Sequence, residues 1–178
     1  MGSEAPAYET PLLIAARRGH DEIIKLLVDH GADIGAKNYE GVSPFHEAMG
    51  RSVERETLEY MLQRGKQFDV NPRTPPTQPP PLSLAAWRGF RGIAEELIRR
   101  GAKVNALNSF TGNTALHYAA MKGNRELAVL LLARGADPSI KNRGGRTAFD
   151  EAEKAGNAEV AKILRDAMTQ KPENRSRP

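Results

Sequence analysis

At 178 residues, with 39% hydrophobic and 27% charged side chains, the chain fits one soluble globular domain of ordinary size. It has no cysteine, which excludes disulfides, thiolate catalysis and cysteine-based metal sites. The net charge of +4 comes from 26 basic and 22 acidic residues, and Lys171–Pro178 alone holds +2 of it. The rest is too little for a bulk-charge argument toward nucleic acid.

No apolar run approaches the roughly 20 residues of a membrane span. The N-terminus shows no basic region followed by an apolar stretch, so no secretory signal is expected. Pro6 stands where a myristoylation motif after Met1-Gly2 wants Ser or Thr. The expected location is the cytoplasm, with the nucleus as the alternative.

In chain order, the first unit spans about 5–37. Its helices carry Leu12, Ile14, Ala15 and Ala16, then Ile23, Ile24, Leu26 and Leu27, at helical spacing. The second unit, about 38–71, is irregular. Its second helix, near Glu54 to Gln63, keeps Leu58, Met61 and Leu62 after a turn with one extra residue. Residues 72–81 follow, holding six of the chain's twelve prolines. Proline lacks the donor of a helix or ladder, so this stretch is expected to be an extended, semi-rigid loop.

The third unit, about 82–107, has Leu84, Ala85 and Ala86, then Ile93, Ala94, Leu97 and Ile98. The fourth, about 108–141, is the most regular. Thr114 can cap its first helix, and a second is expected from about Arg125 to Arg134, before Gly135. The fifth, about 142–168, ends in a helix bearing Glu159, Lys162, Arg165 and Asp166, as suits the outer face of a terminal unit. Residues 171–178 are expected to be a disordered basic tail outside a single domain of residues 1–170.

The units are in register. Pro11, Pro44, Pro81, Ala115 and Ala148 are separated by 33, 37, 34 and 33 residues. A period near 33 marks a helical solenoid. TPLLIA (10–15), SPFHEA (43–48), TALHYA (114–119) and TAFDEA (147–152) resemble the T-P-L-H-x-A of ankyrin repeats. GADI (31–34), GAKVNA (101–106) and GADPSI (135–140) resemble their closing GADVN. The resemblance covers about residues 5–168. It implies an all-α solenoid of about five helix-turn-helix units with β-hairpin-like fingers. It also implies that His46 and His117 are structural, tying the hairpin loop to the helix.

No catalytic constellation stands out. His46-Glu47 begins like H-E-x-x-H, but Gly50 occupies the second ligand position. The four histidines lack ligand spacing, and there is no phosphate loop. No metal and no cofactor is expected.

The resemblance places a concave groove on the first helices and finger tips. Carried over unit by unit, it assigns Arg17, Arg18, Arg51, Trp87, Arg88, Met121 and Lys122 from the helices, and Tyr39, Glu40, Phe110 and Arg143 from the fingers. Arg18, Arg51, Arg88 and Lys122 share one position in four successive units and would align as a basic stripe, with Trp87 near its middle. Basic residues there also complement the helix dipole, which is the plainer reading. The sharper reading is a monomeric, non-catalytic module that binds an acidic partner segment or protein face, with neither membrane nor nucleic acid as ligand. The Pro-rich insert is read either as a tolerated loop or as a partner-contacting segment. An alternative function places a small-molecule-binding or catalytic pocket beneath that insert, built from Tyr39, Glu47, Arg51 and Trp87.

Overall fold

Helices of seven to twelve residues are marginal alone in water, so their stability must come from neighbours. The computed structural model describes residues 9–65, 68–72 and 78–169. Among these are ten helices: α1 (Pro11–Arg18), α2 (Asp21–Asp29), α3 (Pro44–Gly50), α4 (Arg55–Arg64), α5 (Pro81–Arg88), α6 (Arg91–Arg99), α7 (Ala115–Met121), α8 (Arg125–Ala133), α9 (Ala148–Lys154) and α10 (Ala158–Thr169). The odd-numbered helices stack in order as an inner layer, and the even-numbered ones pack outside them. Buried Ala15, Ala16, Ala48, Ala85, Ala86, Ala119, Ala120 and Ala152 let the inner helices approach closely. The all-α solenoid is as expected. The expected tail (171–178) and the middle of the Pro-rich segment (73–77) lie outside the described residues. No helix among the described residues is long and apolar enough to cross a membrane.

Four inner helices start alike. Thr10, Ser43, Thr114 and Thr147 each accept the N–H three residues on. This answers one of the first-turn donors that have no partner inside the helix. Helix α5 begins at Pro81 after Pro80 with no side-chain cap, but Pro81 has no N–H to satisfy.

The fingers are closed by hairpin hydrogen bonds from Asn38 N to Val42 O (3.0 Å), Asn108 N to Asn113 O (2.8 Å) and Asn142 N to Arg146 O (2.9 Å). The side-chain oxygens of the same three buried asparagines accept further N–H groups of each tip. Yet no strand is assigned among the described residues, so the β-hairpin-like fingers are hairpin turns rather than ladders. Gly112 is required where two fingers meet. Its φ is 71°, and a Cβ there would lie 2.8 Å from the amide of Arg143.

Each unit is tied to the next through carbonyls. His117 Nε2 donates to Arg146 O (3.0 Å), and His46 Nε2 donates to Pro79 O (2.8 Å). Both acceptors lie just ahead of the cap of the following inner helix. Asn124 Nδ2 donates to Ala86 O (3.0 Å), and Asn157 Nδ2 to Ala120 O (2.8 Å) and Met121 O (3.1 Å). The inner helices thus receive donors for end carbonyls that their own ladders leave free.

At the junction of the second and third units Phe90 stands where asparagine stands later. Arg88 takes over there, donating to Val53 O (2.6 Å) and Met49 O (3.5 Å) with its guanidinium 4.4 Å from the Phe90 ring centre. On the outer side Arg100 donates to Leu62 O (2.5 Å) and Gly65 O (3.1 Å).

Replacing Asn157 with Ala leaves the Met121 carbonyl unanswered and Ala120 O with only the Gly123 amide, and is expected to cost about 1–3 kcal/mol, read from urea unfolding. Burial holds His46 and His117 below the ordinary histidine value, although their carbonyl bonds oppose the shift. The folded chain therefore binds fewer protons than the unfolded chain as pH falls through about 6.5, so stability should be lost there. Urea midpoints measured from pH 7.5 to 5.5 should fall for the wild type and flatten in a His46→Gln/His117→Gln variant.

Candidate functional site: the concave face

The fourth residues of the inner helices share one side, from which Glu47 and Tyr118 reach Arg17 and Trp87 of the preceding unit. In order these residues are Ile14, Glu47, Leu84, Tyr118 and Glu151. The seventh residues, Arg17, Gly50, Trp87, Met121 and Lys154, lie one turn along the same side. Together these two rows make the concave face, which has an ionic end, an apolar middle and a second ionic end.

At the first ionic end Glu47 is buried and accepts three donors: Arg17 Nε (3.0 Å), Arg51 Nη2 (3.2 Å) and Gln78 Nε2 (3.0 Å). Arg17 also pairs with Glu9. Burial alone would push the Glu47 carboxyl up. The bonds from Arg17, Arg51 and Gln78 outweigh it and hold the group below the usual carboxylate range. The last unit repeats the theme. Buried Glu151 accepts from Arg146 Nε (2.8 Å) and Asn142 Nδ2 (2.8 Å) and is likewise held below the usual range, its donors outweighing burial.

In the middle Trp87 is 41% exposed, as its helix position predicts. Tyr118 of the next unit supports it edge to face, with ring centres 5.9 Å apart and planes at 88°. Lys122 Nζ lies 3.7 Å from the Trp87 ring centre. Met121 is partly buried, with its sulfur 4.0 Å from Asn113 Nδ2. Tyr39, Glu40, Phe110 and Arg143 stand exposed on the finger tips.

The four aligned cations differ in state. Arg18 is exposed at the end of α1. Arg51 is bound to Glu47. Arg88 is turned into the seam between units, where its donors hold backbone carbonyls. Lys122 is folded over Trp87. They are not a uniform row of free charges, because the missing asparagine at Phe90 draws Arg88 inward. The alternative pocket keeps Glu47 and Arg51 together, but as an ion pair that Arg17 and Gln78 complete. Clefts of about 820 and 460 Å³ are lined by residues such as Asp33, Gln63, Phe68, Ile93, Arg99 and Arg100, and by none of Tyr39, Glu47, Arg51 or Trp87.

Tyr118, Gln78 and Glu151 escaped the sequence reading. Reading every unit's fourth helical residue in register would have found Tyr118 and Glu151. Gln78 had no such signal, since it lies in the insert.

Glu47→Ala is expected to destabilise the fold by about 1.5–3 kcal/mol in urea unfolding, as hydrogen bonds to a charged group are lost. Because the folded carboxyl is held low, the Glu47 contribution should be present above the ordinary value of about 4.3 and vanish as pH falls through the folded value.

A family model described as ankyrin repeats (3 copies) matches residues 2–74 and 82–175. Neurogenic locus notch homolog protein 1 of Homo sapiens and of Mus musculus are each 34% identical to the chain over 139 residues, covering 78% of the chain and 5% of the relative. The Danio rerio counterpart is 32% identical over 139 residues, covering 78% of the chain and 6% of its own length. The chain spans only about 5% of the length of these curated relatives.

Proposed function

The chain belongs to the ankyrin-repeat family, and on that premise we propose that it is a non-catalytic protein-binding module whose concave face captures an acidic partner segment. Ankyrin repeats are in general protein–protein interaction modules. The reading takes residues 1–170 as one such domain, acting in the cytoplasm or nucleus. An apolar side chain of the partner seats on Trp87, and acidic groups meet Arg18, Arg51 and Lys122 around it, with Arg143 on its finger.

The half-exposed Trp87, propped by Tyr118 and flanked by Lys122, is the observation that carries this reading. Trp and Arg are enriched among the residues that dominate binding energy. The charge pattern agrees. Glu47 and Glu151, the two carboxylates in the fourth-residue row, are buried and already engaged by arginines. The face therefore presents cations to a partner. Five stacked units give a groove of roughly 50 Å if each helix layer is about 10 Å across. That is long enough for about 800 Å² of contact per partner.

The catalytic alternative finds less support. A carboxylate held ionised by three donors is a weak proton acceptor, and Glu47 is in that state.

Panning a random-peptide library on the wild-type chain is expected to enrich Asp or Glu beside an aliphatic or aromatic residue. Trp87→Ala should weaken the selected peptide by about 2 kcal/mol, roughly 30-fold, without lowering the melting temperature. Arg51→Glu/Lys122→Glu should weaken it most at low salt. Enrichment of basic or uncharged sequences, or unchanged affinity in both variants, overturns the reading.

A further inference from the structure

In this stack a residue's burial at certain positions is supplied by the unit ahead of it. Glu47 shows this directly, since it bonds Arg17 of the preceding unit. Tyr118 shows it too, packing on Trp87. The fourth inner residues Glu47, Leu84, Tyr118 and Glu151 are all buried. So are the third residues of the outer helices after the first, Thr57, Ile93, Leu127 and Val160.

The first unit has apolar side chains at the same positions, but they are open. Ile14 is 37% exposed and Ile23 47%. Leu26, the sixth residue of α2, is 57% exposed, while its equivalent Leu130 is buried. The leading face of the first unit is therefore built as a unit-to-unit interface with nothing packed on it among the described residues. The trailing end differs. The exposed residues of α10 include Glu159, Lys162, Arg165 and Asp166. That polar face refuses head-to-tail stacking of one chain on another.

We propose that this leading face docks a second copy of the same chain, face to face about a two-fold axis, in place of the monomer expected from the sequence. A two-fold interface must be self-complementary. Running α2 antiparallel to its twin sets Ile23 against Leu26 of the other copy, with Ile14 alongside. It also brings Glu22 and Lys25, which already pair within one helix, to the flank, where they can exchange partners with the other copy. The contact continues the packing that joins every pair of units within the chain. It uses one helix pair per copy, so it belongs with small, weak interfaces, with a dissociation constant on the order of 1–100 µM. Of the concave face the contact takes only Ile14, while Trp87, Tyr118 and Lys122 belong to the third and fourth units, so this proposal does not depend on the peptide-binding reading.

Sedimentation velocity of the full chain from low to high micromolar concentration is the test. The weight-average mass of the wild type should climb toward twice the monomer mass. Ile23→Glu/Leu26→Glu should stay monomeric at every concentration while keeping the wild-type circular dichroism spectrum. The absence of cysteine gives an orthogonal readout. Under oxidation, Ile23→Cys/Leu26→Cys should form a disulfide-linked dimer, and Lys162→Cys at the far end should not. A wild type that remains monomeric overturns the proposal, as does crosslinking that is equally efficient at Lys162. Selected-peptide affinity should be unchanged in Ile23→Glu/Leu26→Glu, so that failure of one reading is separable from failure of the other.

Discussion

The carbonyls that end α3, α5 and α7 take donors from the next unit. A helix of seven or eight residues cannot satisfy its own last turn. Asn157 and Asn124 supply that need by reaching back from the following turn. His117 and His46 reach forward and fix the chain just before the next cap. The result is a structure of nearest-neighbour bonds, in which no unit is complete by itself. It also explains why the concave face is well defined. The inner helices that carry Trp87, Tyr118 and Met121 are held at fixed spacing by buried polar bonds as well as by alanine packing.

The second and third units show which parts of this arrangement can be exchanged. A Pro-rich segment replaces the finger, and Phe90 replaces the bridging asparagine. The carbonyl received by His46 nevertheless comes from Pro79, at the place where Arg146 serves His117. Gln78, one residue earlier, anchors the same segment to Glu47. Arg88 and Arg100 span the junction on its inner and outer sides. Chain length and residue type vary here, while the carbonyls of Met49, Val53, Leu62 and Gly65 still receive donors from the following unit.

The repeat period, the capping residues and the helix pairs were legible in the sequence because they are local. Thr10, Ser43, Thr114 and Thr147 act within four residues of themselves, and Trp87 is exposed where its helix position says it should be. Arg88 shares its helix position with Arg18, Arg51 and Lys122, but its engagement is not legible locally, since its partners, Val53 in the longer turn and Met49 near the end of α3, lie 35 and 39 residues away. The engagement of Glu47 was hidden for a similar reason, as Arg17 and Gln78 lie 30 and 31 residues from it. Asn38, Asn108 and Asn142 carry no signal of their own in the repeat motifs, although their amides organise the fingers. Ile14, Ile23 and Leu26 share the helical spacing of buried Leu12 and Ile24 but are exposed. Helical periodicity shows which face of a helix is apolar, but only the presence of a neighbouring unit decides whether that face is buried.

The same logic separates charge that stabilises from charge that is available. On the outer helices cations meet carboxylates on the same turn or the facing unit, as with Lys25 and Glu22, Arg91 and Glu95, and Arg125 and Glu159. Each such exposed pair adds little to stability, and together they leave that side nearly neutral. On the concave side Glu47 and Glu151 are buried and serve more than one donor, and Glu9 is a second partner of Arg17, while among the described residues no carboxylate pairs with Arg18, Lys122 or Arg143. A positive remainder therefore belongs to the geometry of the face, whatever the net charge of the chain. Trp87 sits inside that remainder. Tyr118 fixes its ring from the next unit and Lys122 covers it. A partner that displaces Lys122 from the ring gains an aromatic surface already held in place, so little ordering cost falls on the binding step.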